Sequence, residues 1–197
     1  FGFEIKDDNG GNYATQATPV IIRIKNSDGN EKIFKSGYQV VTATSNGYTC
    51  SATISSANGS QFTVTDNITV LNNTLFKVKR NVKVDKASST DKGFSSQFSI
   101  VSGATGSTFS RYNLFAPGFL YRNNERNNPY ENNPNLSSGS FNFRETRYGL
   151  PMFMAHSAAS KQTISLSHVN PKIKSGIDEK NNKWWMVSSS VQYGSLG

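Results

Sequence analysis

The sequence has little of what disulfide-bonded, metal-binding and membrane proteins are built from. Among its 197 residues, Cys50 is the only cysteine, and His156 and His168 are the only histidines. One cysteine excludes an internal disulfide and a site of several thiolates, and neither histidine has a second ligand at metal-binding spacing. No apolar run reaches the length of a membrane-spanning helix. We therefore predict no metal and no membrane span, and we expect Cys50 to be a small core residue.

Catalytic and cofactor-binding motifs are also absent. The sequence contains no GxSxG, Walker, EF-hand or glycine-rich dinucleotide pattern. No segment shows helical periodicity, and no internal repeat of the propeller or solenoid kind occurs. We therefore predict that the chain binds no cofactor and is not an enzyme by itself.

The charge balance is basic, with 21 Lys and Arg against 13 Asp and Glu and a formal net charge of +8. Such an excess is found in proteins that bind nucleic acid or an anionic surface. The basic residues are scattered, however, and only Lys77, Lys79, Arg80 and Lys83 cluster. No nucleic-acid-binding motif occurs, so we predict a solvated sheet face and no nucleic-acid partner. A basic surface for nucleic acid or lipid is the least favoured function.

What the sequence does contain is alternation of apolar and polar residues, interrupted by Asn-Gly and other polar turns. Strands at such spacing predict an all-β fold, and their length favours a large sandwich of two antiparallel sheets. The Asn46-Gly47 pair is the strongest hairpin signal. The predicted strands are Pro19–Lys25, Glu31–Lys35, Gly37–Ser45, Gly47–Ser55, Gln61–Val70, Leu75–Asp85, Phe94–Val101, Lys161–His168 and Trp184–Tyr193.

Leu75–Asp85 shows the clearest alternation. Its apolar residues share one face with Arg80, and its lysines share the opposite face. This pattern predicts one dry and one wet side. Because a buried guanidinium needs partners, we expect Arg80 at a sheet edge where it reaches a carboxylate or backbone carbonyls. The residues predicted to be buried beside it are Phe76, Val78, Val82 and Val84.

The stretch from Ser110 to His156 shows no sustained periodicity and is rich in Asn, Pro, Gly, Tyr and Arg. A loop of this length is usually functional or disordered, and its aromatic content argues against disorder. We therefore predict one long ordered loop at an edge of the sandwich. Glu125 and Glu145 in this stretch could form the carboxylate pair that glycosidic cleavage requires. Their neighbouring arginines favour ion pairs instead, so we assign no catalytic residue.

The aromatic, amide and arginine side chains of this stretch suit either of two roles. Sugars offer apolar ring faces to aromatic residues and hydroxyls to planar polar groups, whereas an interface with another domain also favours Tyr and Arg. We take ten residues as substrate-binding or interdomain candidates: Tyr112, Asn113, Tyr121, Arg122, Asn123, Asn124, Glu125, Arg144, Glu145 and Arg147.

Several motifs resemble a known family. They are the run YNLFAPGFLYRNN over Tyr112–Asn124, the run RETRYGLP over Arg144–Pro151, the strand ending Ser165-Leu-Ser-His168, and Val78-Lys-Arg80 followed by Gly93-Phe-Ser. The pattern resembles the N-terminal β-sandwich, or supersandwich, of bacterial carbohydrate-active enzymes of the six-hairpin glycosidase type. In that family an (α/α)6 toroid follows the sandwich and carries the catalytic acid and base.

The resemblance implies a non-catalytic, supersandwich-like domain of a bacterial glycoside hydrolase or related polysaccharide-degrading enzyme. Such a domain packs on the (α/α)6 domain of the same protein and contributes a loop to the carbohydrate cleft. We therefore expect residues 1–197 to be one sandwich domain excised from a longer protein. That protein would be periplasmic or extracellular if it carries a signal peptide. The alternative is an independent carbohydrate-binding or adhesive surface module.

Overall fold

The computed structural model describes residues 2–6, 8–10, 12–16, 18–102, 112–116, 120–122, 140–143, 152–157, 161–167, 173–178 and 183–188. These residues contain no helix, and so none of the length and apolarity needed to cross a membrane. Their strands are β1 (Glu4–Lys6), β2 (Asn12–Thr15), β3 (Val20–Asn26), β4 (Glu31–Ser36), β5 (Val40–Thr44), β6 (Gly47–Ser55), β7 (Gln61–Asn72), β8 (Leu75–Lys86), β9 (Asp91–Ser102), β10 (Tyr112–Ala116), β11 (Leu120–Arg122), β12 (Ser140–Phe143), β13 (Met152–Ser157), β14 (Gln162–Ser167), β15 (Ile173–Asp178) and β16 (Lys183–Ser188).

The chain divides into two compact units. Unit 1 comprises Phe1–Phe3, Ala17–Phe98 and Val191–Gly197, and unit 2 comprises Glu4–Gln16 and Ser99–Ser190. The expectation of one sandwich domain over residues 1–197 stays a prediction. The prediction of an all-β fold of antiparallel sheets is confirmed, because the described strands pair antiparallel throughout.

Unit 1 contains two sheets. In the first, β3 lies between β4 and the early part of β9. In the second, the strands follow the order β5-β6-β7-β8, each joined to the next by a hairpin. Two of the turns in unit 1 contain a glycine with positive φ, Gly29 at 83° and Gly59 at 92°, a region that other residues rarely adopt.

The core of unit 1 lies between these two sheets. Inward-facing side chains of β3 and β9 pack against inward-facing side chains of β6 and β7, as alternation requires in a sandwich. The rings of Phe62 on β7 and Phe94 on β9 lie 5.1 Å apart between centroids. Cys50 is buried in this core, as predicted. The buried cluster consists of Val20, Ile22, Ile24, Tyr38, Cys50, Ala52, Ile54, Phe62, Val64, Ile68 and Phe94.

The predicted faces of β8 are confirmed. The four apolar residues expected on the dry side, Phe76, Val78, Val82 and Val84, are half-buried and pack against the core cluster. Their burial is partial because β8 is an edge strand of its sheet. The lysines of the other face are exposed.

Unit 2 contains shorter strands. β1 pairs with β2, and β2 pairs with the end of β9. β15 lies between β12 and β16. A further sheet has the order β11-β10-β13-β14.

The prediction of a single long loop from Ser110 to His156 is wrong in its described parts. β10, β11, β12 and most of β13 fall in this stretch. The first three have only five, three and four residues. A strand so short shows at most three side chains on one face, so its sequence carries no visible alternation.

Candidate functional site

A buried ion pair occupies the interior of unit 1. The Asp66 side chain on β7 is fully buried, and Arg80 lies directly opposite it on β8. Arg80 donates to the two carboxylate oxygens of Asp66 from Nε and Nη2, at 2.8 and 2.5 Å. The Tyr38 hydroxyl donates to the same carboxylate. This arrangement confirms the expectation that Arg80 lies at a sheet edge and reaches a carboxylate.

The same guanidinium also binds the opposing sheet. Nη2 donates to the Pro19 carbonyl at 2.7 Å, and Nη1 donates to the Gln97 carbonyl at 2.8 Å and to Ser96 Oγ at 3.1 Å. Burial acts to lower the pKa of Arg80, but its hydrogen bonds and attraction to Asp66 outweigh burial and raise the pKa. All five donors of the guanidinium are thus used. The ion pair is structural, because it offers no free polar group to a substrate.

A second polar cluster joins three turns at one end of unit 1. The buried Asp91 carboxylate accepts from Ser56 Oγ at 2.7 Å and from Asn58 Nδ2 at 2.8 Å. Asn58 Nδ2 also lies 3.4 Å from Asn26 Oδ1. Burial acts to raise the pKa of Asp91, but hydrogen bonds from Ser60, Ser56 and Asn58 outweigh it and lower the pKa. The cluster stabilises the turns before β4, β7 and β9.

The outward face of the β5-β6-β7-β8 sheet is where unit 1 presents polar groups to solvent. Alternation places the core residues of these strands inward, so the residues between them point outward. On β5, β6 and β7 those outward residues are mostly Thr, Ser and Asn. We call this surface the hydroxyl face and define it by Thr42, Thr44, Thr49, Ser51, Thr53, Ser55, Thr63, Thr65, Asn67 and Thr69.

The register of the strands arranges the hydroxyl face in rows. Ser51 lies opposite Thr65, and Thr53 lies opposite Thr63. The Thr49 hydroxyl donates to Asn67 Oδ1 at 3.0 Å, across another row. With strands about 4.8 Å apart and about 3.3 Å per residue, the face measures roughly 10 by 20 Å. A surface of that size accommodates several units of a chain-like ligand.

Lysines border the hydroxyl face along β8. Lys77 lies opposite Thr69, Lys79 opposite Asn67, and Lys83 opposite Thr63. Lys83 forms an ion pair with Asp85 at 2.7 Å. In contrast, the thirty residues from Ser36 to Thr65 contain no charged side chain. The face is therefore neutral over β5 and β6 and positive along β8.

Four of the ten candidates from the sequence lie in described strands of unit 2. Tyr112 and Asn113 belong to β10, and Tyr121 and Arg122 belong to β11. The two strands pair antiparallel, with Phe115 opposite Tyr121. The structure therefore brings these two pairs of candidates into one hairpin.

The other six candidates, Asn123, Asn124, Glu125, Arg144, Glu145 and Arg147, lie outside the described residues. The interpretation of Glu125 and Glu145 as a carboxylate pair therefore stays a prediction. His156 lies on β13 opposite Asn113, and His168 is outside the described residues. Within the described part of the chain, no three His, Cys, Asp or Glu side chains come together as metal ligands.

The hydroxyl face was not among the candidates from the sequence. The sequence does contain a pattern that indicates this face. Thr or Ser occupies every second position from Thr49 to Ser55 and from Thr63 to Thr69, except that Asn67 takes one of these positions. Such a pattern normally indicates only a wet sheet face. What distinguishes it here is the register, which places the two series side by side.

No protein-family model, no curated protein and no solved structure matches this chain.

Proposed function

We propose that the chain is a non-catalytic β-sandwich module that contacts carbohydrate through the hydroxyl face. The observation that carries this proposal is the ordered array of hydroxyl and amide groups over β5, β6 and β7. Each hydroxyl both donates and accepts hydrogen bonds, and so do the hydroxyls of a sugar. A neutral array also avoids the desolvation of charged groups when a ligand covers it.

Three carboxylates of unit 1 support a non-catalytic role. Asp66, Asp91 and Glu31 each bind partners within the fold, through Arg80, through hydroxyl and amide donors, and through Arg23 respectively. Cleavage of a glycosidic bond needs two carboxyl groups that face the same sugar. These three carboxylates instead stabilise the sandwich.

The lysines along β8 favour a glycan with acidic substituents. A carboxylate or sulfate near Lys77 or Lys79 would gain charge-assisted hydrogen bonds, while the neutral part of the glycan lies over β6 and β7. We therefore propose an acidic oligosaccharide as the preferred ligand.

Calorimetric titration of the chain with neutral and acidic oligosaccharides tests this proposal. The double variant Ser51→Ala/Thr65→Val removes two central hydroxyls and keeps the size of both side chains similar. Its matched control is Ser95→Ala, which removes a hydroxyl from β9 in the other sheet of unit 1. We expect the double variant to bind at least about tenfold more weakly, the effect of losing about 1.4 kcal/mol, and the control to bind as the wild type does. Equal affinity of the double variant and the control would contradict the proposal.

The narrower proposal is a sandwich domain of a six-hairpin glycosidase, with the candidates from Tyr112 to Arg147 at a cleft shared with an (α/α)6 domain. It rests on the family resemblance of the sequence. Under it, Tyr121→Ala or Arg122→Ala in the longer protein lowers kcat/KM about ten- to a hundredfold, because remote contacts position the reacting bond. The hydroxyl face favours the independent module instead, since it lies within unit 1. Tight binding by the chain alone supports the module, and binding only in the longer protein supports the shared cleft.

A further inference from the structure

The strand β5, of sequence Val-Val-Thr-Ala-Thr, is an edge of its sheet. Among the described strands it pairs only with β6. All five of its residues are exposed, with Val40 at 56% and Val41 at 49%. Its pairing with β6 has no bulge. An edge of this kind presents unpaired backbone groups and apolar side chains to any strand that approaches it.

The other two outer strands of unit 1 differ from β5 in charge. β8 carries four lysines, and β4 carries Glu31, Lys32 and Lys35. Charged side chains on an edge strand, lysine above all, discourage pairing with another chain. β5 contains no charged residue, no proline and no glycine. It is therefore the one outer strand of unit 1, among those described, that lacks such protection.

The sequence of β5 is complementary to itself in the antiparallel direction. Pairing about Thr42 places Thr42 opposite its own copy, Val41 opposite Ala43, and Val40 opposite Thr44. Residues that meet in this register lie on the same face of the joined sheet, since their numbers have equal parity. The outward pairs are Thr–Thr and Val–Thr, and the inward pairs are Val–Ala. No like charges meet, and such pairs of β-branched residues are favourable.

We propose that β5 pairs with β5 of a second copy of this chain, so that the two four-stranded sheets join into one of eight strands. For two copies of the chain, charge favours this edge over the other outer strands. The chain carries a net charge of +8, and two copies approach with least repulsion at the edge farthest from the β8 lysines. That edge belongs to β5, three strands away from β8. The inference is independent of the proposed function, although the pairing would also place two hydroxyl faces side by side.

The association is expected to be weak. A strand of five residues buries much less than the roughly 800 Å² per partner of a stable interface. We therefore expect a dissociation constant on the order of 100 μM, within the range of transient complexes.

Sedimentation equilibrium of the whole chain, between about 10 μM and 1 mM and without carbohydrate, tests the proposal. Wild type is expected to pass from monomer to dimer. Thr42→Lys places like charges at the centre of the pairing and should weaken dimerisation at least tenfold. Thr53→Lys, on the same outward face but on β6, adds the same charge away from the edge and should dimerise as the wild type does. Far-UV circular dichroism checks that both variants are folded.

Two results would overturn the proposal. One is a wild-type chain that stays monomeric throughout, and the other is equal association of Thr42→Lys and Thr53→Lys. A synthetic peptide with the sequence of residues 39–45 distinguishes a second folded copy from a free extended strand as the partner of β5. A monomeric chain that nevertheless binds this peptide would show that the edge pairs with a free extended strand but not with a second folded copy, and would refute the proposal.

Discussion

Replacement of Arg80 by methionine removes the positive charge that neutralises Asp66, while a long apolar side chain remains on β8. The Asp66 carboxylate is fully buried and would keep the Tyr38 hydroxyl as a donor. The Pro19 and Gln97 carbonyls on the opposing sheet would also lose their bonds to the guanidinium. The variant therefore leaves a buried charge without its counter-ion, and we expect a large loss of stability.

The size of this loss follows from the burial of the pair. The Arg80 side chain is 13% exposed and that of Asp66 is 0% exposed, so solvent screens their interaction little. Removal of one partner of a buried pair costs about 3–5 kcal/mol. Since a typical domain is stable by about 5–15 kcal/mol, the change is a large share of the total. With a urea dependence of about 2 kcal/mol per molar, the denaturation midpoint should fall by about 2 M.

Urea denaturation followed by far-UV circular dichroism measures this change, with Arg23→Met as the matched control. Arg23 pairs with Glu31 at 2.7 Å, but Glu31 is 50% exposed, and such a pair contributes about 0.2–1 kcal/mol. A double variant, Asp66→Leu/Arg80→Met, removes both charges and should be more stable than Arg80→Met alone. The reasoning fails if Arg80→Met and Arg23→Met lose equal stability, or if the double variant is less stable than Arg80→Met.

Three further predictions concern a turn cluster, a glycine and the lysine border. Because the pKa of Asp91 is lowered on folding from its ordinary value of 3.8, its contribution to stability is present above about pH 4 and is lost as the pH falls through the folded pKa. The difference in urea midpoint between wild type and Asp91→Asn should therefore be largest at neutral pH and shrink in acid; a difference independent of pH contradicts this. Gly59 has a φ of 92° and open space around the position of a Cβ, so Gly59→Ala should cost about 1–2 kcal/mol from backbone strain alone. Gly59→Asn should cost less in the same denaturation assay, and equal costs would refute a conformational cause. Lys79→Gln should weaken binding of an acidic oligosaccharide by up to about fivefold and reduce its salt dependence, without affecting a neutral one. Calorimetry at two salt concentrations measures this, and an equal loss for both ligands would exclude an electrostatic role.

The sequence predicts unit 1 well because its strands are long enough to show their period. β7 and β8 have twelve residues each, so several apolar side chains recur on one face. Polar turns such as Asn46-Gly47 then separate the strands into hairpins. The sequence identifies Arg80 as an exception on the dry face of β8 and predicts that it reaches a carboxylate or backbone carbonyls.

The partner of Arg80 could also have been found from the sequence. Asp66 occupies a core-facing position of β7, two residues after Val64 and two before Ile68. An acid and a base at core-facing positions of two strands joined by a tight hairpin predict an ion pair across that hairpin. The argument needs no exact register, since Asp66 and Arg80 are the charged residues among the apolar core-facing positions of the two strands. The register itself depends on a bulge between Val70 and Asn72, which the sequence of the turn does not reveal.

Unit 2 was predicted less well for a physical reason. β1 and β11 have three residues each, and β15 has Gly176 near its centre. Strands of this kind are held by pairing with neighbours rather than by an alternating pattern, so their sequences carry little local signal. The sequence places the candidates Tyr121 and Arg122 in a loop for this reason, although they belong to β11.

The buried ion pair also determines the alignment of the hydroxyl face. Asp66 and Arg80 are direct partners in the β7–β8 register. A slip of two residues keeps every side chain on its own face but places Arg80 opposite Val64 or Ile68, which leaves the Asp66 carboxylate unpaired. An apolar core would resist such a slip weakly, since Val, Ile and Phe can replace one another across the two strands. The charge pair makes it costly, and Asn67 and Lys79, each adjacent to a member of the pair, therefore stay opposite each other on the outward face.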